Sequence, residues 1–164
     1  PTSPAMPHLS TATLYPGMCL LEGTNLSLGR GTALPFELCG APWLDGYTLA
    51  REMNALDLAG VRFRPTLFTP FASNHAGNEC QGLQVHVTDR NVFRPVEMTL
   101  HLIAVARRMS GESFRWNPHL ERLAGSAGVR ASLEAGQPVS KVLAAWAASI
   151  SEFVHQRETY LLYQ

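Results

Sequence analysis

Lysine is nearly absent from this chain. Twelve arginines stand beside a single lysine, Lys141, and thirteen Asp+Glu balance them to a net charge of zero with histidines neutral. Nucleic-acid and anionic-membrane surfaces both need surplus positive charge, so the balance argues against either partner. Charged residues of all kinds are scarce, at 16%, while hydrophobic ones reach 46%, which excludes a disordered chain. No stretch approaches the ~18–20 uninterrupted apolar residues of a membrane span. The best candidate, Val139 to Tyr163, is broken by Lys141, Glu152, His155, Arg157 and Glu158. The opening PTSPAMPHLS lacks the basic and apolar regions of a signal peptide. Its three prolines suggest that residues 1–12 are an extended linker from an upstream domain, leaving 13–164 as one domain.

Cysteine is also sparse and odd in number: Cys19, Cys39 and Cys80, in no CxxC arrangement. They read as small buried hydrophobes, with a Cys19–Cys80 disulfide left open for an exported protein. Phosphate-loop, GxGxxG and GxSxG patterns are missing. His75, Cys80 and His86 lie within a dozen residues, but their spacing is not that of a structural zinc site, so no metal and no cofactor are expected.

What the chain does have is enough length, 164 residues, to bury a real core without a staple. Its first half reads as strands and loops, its second as helices. Leu14–Leu21 is an apolar run with Pro16 and Gly17 near its start, expected to be a strand, and Phe36–Cys39 suggests another before a turn at 40–43. Asp45 can cap a helix whose apolar residues recur at Leu49, Met53 and Leu56. Val61–Phe68 alternates apolar with polar, and its Pro65 favours an edge strand or a bulge. Leu83, Val85 and Val87 give the clearest strand signal. Pro95 opens a long helix, shorter helices follow at 119–124 and 128–135, and a last one starts near Pro138. Its stripe of Val139, Val142, Leu143, Trp146, Ile150, Phe153, Val154 and Tyr160 reads as a packed face. The fold class is therefore α+β: a small mixed or antiparallel sheet against several helices, with a long amphipathic C-terminal helix.

The densest polar cluster is Glu22-Gly-Thr-Asn-Leu-Ser-Leu-Gly-Arg-Gly-Thr32. Glycine lets backbone approach a ligand, and Glu, Thr, Asn, Ser and Arg supply the donors and acceptors of a sugar or carboxylate site. An alternative is a turn whose Asn and Thr satisfy their own backbone. Glycosidases normally need two carboxylates across the scissile bond. Glu22, Glu37 and Glu79 are the loop-placed candidates, and only Glu22 lies in a recognition-like segment.

The run from Tyr15 to Thr32, with Pro35-Phe36-Glu37 and Gly40-Ala-Pro-Trp43, resembles the peptidoglycan exo-β-N-acetylmuramidases of the NamZ type. So do Phe63-Arg-Pro-Thr66, Ala76-Gly77 with Cys80, His86 to Arg90, Phe93-Arg-Pro95 and Tyr160-Leu-Leu-Tyr163. The likeness is to the C-terminal part of those enzymes, in which a Rossmann-like domain comes first and carries the catalytic glutamate. It implies a substrate-side domain of an enzyme that releases terminal N-acetylmuramic acid from peptidoglycan fragments, extracytoplasmic and inactive by itself; a monomer is the default expectation. Glu22 is expected in a supporting catalytic role, with Thr24, Asn25, Arg30, Thr32 and His75 contacting the muramyl saccharide. Arg30 suits the lactyl carboxylate through a bidentate contact. Pairing of Glu22 with Arg30 inside the core would cancel both roles. A non-catalytic peptidoglycan-binding module, or a domain that only braces its partner, is the alternative, the latter leaving an apolar face bare.

Overall fold

Local capping and strand alternation fix the centre of the molecule. The computed structural model describes residues 3–163. Asp45 caps helix α2 (Gly46–Ala55), accepting the backbone N–H of Tyr47 at 3.0 Å and of Thr48 at 3.1 Å. The Thr48 hydroxyl and these amides hold its carboxyl below the ordinary range. Strands β1 (Leu38–Ala41), β2 (Val61–Phe68) and β3 (Cys80–Val87) form an antiparallel sheet in the order β1-β3-β2. Pro65, which has no N–H to give a neighbour, therefore sits on an edge strand. Val61, Phe63, Leu83 and Val85 pack into the core with Leu49, Ala50 and Met53 of α2. The opposite face carries Arg62, Arg64, Gln84 and His86, with Arg64 paired to Gln84 at 2.6 Å.

Helix α3 (Pro95–Ser110) opens on Pro95 and buries Leu100, Leu102 and Ile103 at the centre of the molecule. Two short helices, α4 (His119–Ala124) and α5 (Gly128–Glu134), follow it. Arg107 of α3 donates to the carbonyls of Leu133 and Glu134, each at 3.2 Å, closing the exposed C-terminal end of α5. The architecture is the expected α+β one.

Three local expectations are corrected. Leu14–Leu21 is not a strand: α1 spans Leu9–Met18, and Cys19–Gly23 is a single 3₁₀ segment. Helix α1 buries Thr11, Leu14, Gly17 and Met18, a helical spacing that Pro16 and Gly17 mask in the sequence. The reason is tertiary. A Cβ on Gly17 would stand 2.0 Å from the Pro95 carbonyl oxygen, so α1 meets α3 at backbone contact and this packing overrides poor helix propensity. Residues 9–12 are accordingly helical rather than extended linker, while residues 1 and 2 lie outside the described residues. Strand β1 starts at Leu38, not Phe36, because Phe36 has a left-handed φ of 63° that no strand accommodates.

The last helix, α6 (Val139–Arg157), packs over only part of its stripe. Val139 and Val142 are buried and Leu143 and Trp146 lie against the core, whereas Ile150 is 54% and Phe153 62% exposed.

Glu37 has a structural task. It is buried, and its Oε1 accepts the hydroxyls of Ser10 at 2.8 Å and Thr11 at 2.7 Å. Helix α1 has no side-chain cap of its own at His8, so Glu37 places negative charge at its N-terminus from across the chain.

Gly17→Ala is expected to lower stability by about 1–3 kcal/mol through overpacking at the α1–α3 crossing. Urea unfolding checks this, and an unchanged midpoint would contradict the close approach.

Candidate functional site

The polar block folds as a connecting ribbon, not as a free loop. Thr24 bridges to Trp116 and Ser27 to Gly40, each antiparallel, so one side faces the α3–α4 connection and the other faces the sheet. Asn25 carries the first junction. Its Nδ2 donates to the Ser113 carbonyl at 2.9 Å, its Oδ1 accepts the Arg115 N–H at 2.9 Å, and its backbone N–H reaches the Arg115 carbonyl at 3.0 Å. Thr24 is buried, donating to the Leu21 carbonyl at 2.8 Å and accepting the Leu26 N–H at 3.2 Å. Thr32 closes its own turn, donating to the Gly29 carbonyl at 2.7 Å and accepting the Leu34 N–H at 3.0 Å. These three side chains are engaged by backbone, which is the turn-forming alternative that composition allowed.

Glu22 and Arg30 do meet. Arg30 Nη2 lies 2.7 Å and Nε 3.2 Å from the same oxygen, Glu22 Oε1. The Arg30 side chain is 39% and that of Glu22 35% exposed, so the pair opens on solvent instead of lying in the core. The guanidinium also stacks 4.8 Å over the Phe36 ring, and Phe36 in turn meets the edge of Tyr15 at 4.9 Å. Phe36 is buried and holds its left-handed backbone while carrying this stack. The planar cation is thereby held flat, with an exposed edge that could receive a carboxylate.

His75 lies on the other flank of the ribbon. Its Nε2–H donates to the Asn25 carbonyl at 2.7 Å, which orients the ring and leaves Nδ1 without a protein partner among the described residues. Asn74 beside it donates to the Leu26 carbonyl at 3.0 Å. The structure thus brings His75 to Asn25 and Glu22 to Arg30. Of the other two candidate carboxylates, Glu37 is taken into the α1 anchor and Glu79 remains exposed before β3. Tyr15 and Phe36, which support Arg30, had no signal as site residues beyond their place in the resemblance. Among the described residues, no group of three His, Cys, Asp or Glu is gathered to hold a metal ion.

All three cysteines are free thiols, so the open Cys19–Cys80 pairing is not formed. Burial pushes the Cys39 thiol up to about 12, with Cys80 adding to the shift, and burial raises Cys80 to about 11. Cys19 is raised first by burial and then by the Glu22 carboxylate.

With this geometry in place, comparison with known proteins is decisive. Residues 13–163 match the family described as exo-beta-N-acetylmuramidase NamZ, C-terminal. The chain belongs to this family. The peptidoglycan beta-N-acetylmuramidase NamZ of Bacillus subtilis (strain 168) is 38% identical over 163 residues. That alignment covers 98% of this chain and 39% of the relative, so the chain spans well under half of the relative's length. Two crystal structures of DUF1343 family proteins from Bacteroides fragilis NCTC 9343 share the fold. One has a TM-score of 0.88 at 26% identity and the other 0.71 at 29%, each covering 100% of this chain and 45% or 44% of theirs.

Two outcomes follow. Asn25→Ala should cost about 1–2 kcal/mol, because it removes the hydrogen bonds to the solvent-accessible Ser113 carbonyl and Arg115 N–H together, and hydrogen exchange at Arg115 should rise with it. The raised Cys39 and Cys80 values favour the protonated thiols in the folded state. Their stabilisation is complete below the unfolded value near 9 and fades as pH climbs towards 11 and 12. Chemical unfolding at pH 8 and pH 10.5 should show the loss, and a Cys39→Ala/Cys80→Ala double variant should show less of it.

Proposed function

We propose that this chain is the C-terminal, substrate-side domain of an exo-β-N-acetylmuramidase that releases terminal N-acetylmuramic acid from peptidoglycan fragments. The observation that carries the reading is the family match over residues 13–163 in a chain that spans only 39% of its peptidoglycan-cleaving relative. The site chemistry agrees with it. Arg30, held flat on Phe36, offers a fork for the lactyl carboxylate, and Glu22 can exchange its bond to Arg30 for one to a sugar hydroxyl or a water. His75 presents its Nδ1 beside the ribbon. Thr24, Asn25 and Thr32 shape the ribbon that presents them.

A glycosidase needs a second carboxylate across the bond. Here the upstream partner, a Rossmann-like domain carrying the catalytic glutamate, supplies it, so this chain alone is inactive. The working enzyme is a monomer in an extracytoplasmic compartment. The exposed outer half of α6 favours a bracing role alongside this one. Ile150, Phe153 and Val154 line up on one bare face, the kind of apolar surface a neighbouring domain covers.

The test is hydrolysis of a chromogenic β-N-acetylmuraminide. The chain alone should be silent, and a chimera carrying it in place of the C-terminal part of the Bacillus subtilis relative should turn over. Arg30→Met in that chimera should raise KM about tenfold or more with a smaller change in kcat. Turnover by the chain alone would refute the accessory role, and an unchanged KM in Arg30→Met would remove Arg30 from the site.

A further inference from the structure

Helix α2 covers only part of the sheet. Alternation along β2 and β3 puts Pro65, Leu67 and Gln81 on the face that Val61, Phe63 and Val85 give to the core. The helix begins at Gly46, and the strands continue past it. What remains is a cleft of about 460 Å³, lined by Gly46 and Tyr47, by residues 64–67, and by Glu79 and Gln81. That volume falls in the usual range of small-molecule sites, roughly 300–1,000 Å³.

Close backbone packing builds the cleft. A Cβ on Gly46 would stand 2.5 Å from the Gly82 carbonyl oxygen, and one on Gly82 only 1.9 Å from that of Cys39. Helix start, β3 and β1 therefore touch without intervening side chains, which fixes the position of Tyr47 at the rim. Tyr47 is 78% exposed although it opens a well-capped helix.

The lining chemistry is specific in kind. An exposed tyrosine ring offers a flat apolar face with a hydroxyl at its tip. Pro65 and Leu67 give an apolar floor for a methyl group. The Glu79 carboxylate and the Gln81 amide offer acceptors and donors for hydroxyl and acetamido groups. Charge then narrows the ligand. The Arg64 guanidinium is engaged by Gln84, Glu79 puts a carboxylate on the lining, and the amides at the start of α2 already bond to the Asp45 carboxylate, so no anion is called for there.

We propose that this cleft binds a neutral N-acetylated pyranose of the glycan, separate from the carboxylate-bearing sugar assigned to Arg30. The inference rests on the saccharide reading given above. It makes the domain a reader of two sugar types on two surfaces: an acidic unit beside Phe36 and a neutral one beneath Tyr47.

Titration of the isotopically labelled chain with di-N-acetylchitobiose, up to about 10 mM, tests it by amide chemical shifts. Shifts should centre on Tyr47, Thr66, Leu67 and Gln81. Tyr47→Ala should weaken binding about five- to tenfold while keeping a dispersed spectrum, and Glu79→Gln, which lies off the helix, should weaken it too. N-acetylmuramic acid should perturb these amides at least about fivefold more weakly. Shifts confined to residues 22–32, no shift at the cleft, or unchanged affinity in both variants would each overturn the assignment. None of these results bears on the chimera's activity, so this inference can fail while the muramidase reading stands.

Discussion

One short stretch of backbone, Gly23 to Leu28, ties together three parts of the molecule that also meet through the common core. The Gly23 carbonyl accepts from Asn117, Thr24 bridges to Trp116 and Asn25 clasps residues 113–115. Two residues later Ser27 pairs with Gly40 of the sheet, and the Leu28 carbonyl accepts the Phe36 N–H at 2.7 Å. Asn74 and His75 close it from a third direction. Leu26 and Leu28 are buried, so the ribbon also adds to the core. Breaking it would loosen the α3–α4 connection and its junction with the sheet, and every buried backbone group left unpaired there would carry a desolvation cost.

This double duty explains how a polar sequence block can look like a binding loop and yet be largely structural. The side chains that face inward along the ribbon satisfy backbone, and those at its ends, Glu22 and Arg30, face water. The Glu22–Arg30 pair is thus placed on a rigid support. The Phe36 stack serves the same end: a residue held at an unfavourable φ presents its ring to the guanidinium, and burial of that ring offsets the backbone strain.

Elements with local signals were legible in the sequence. Asp45 announced α2, alternation announced β2 and β3, Pro95 announced α3, and the edge position followed from Pro65. Helix α1 was not, because its cause is a glycine meeting the Pro95 carbonyl far along the chain. Asn25 shows the same limit at the site. Its partners lie 88 and 90 residues away, and nothing within the block points to them. The Glu22 and Arg30 cluster was visible as composition, but its exposure and its stack on Phe36 depend on the positive φ of Phe36, which an aromatic residue does not advertise. For α6 the periodicity was read correctly, yet a stripe in sequence cannot say how far along its length a partner extends.

The buried Glu37 anchor has a mechanical side. Its carboxylate grips Ser10 and Thr11 in the first turn of α1, and the next residue back in the chain is Phe36, on which Arg30 rests. A pull on the start of α1 is therefore in series with the Arg30–Phe36 stack, transmitted through two hydroxyl contacts and one peptide bond. Tension at that helix reaches the guanidinium through Phe36 and the sheet through Leu38 and the Val85 N–H that the Glu37 carbonyl accepts at 2.9 Å.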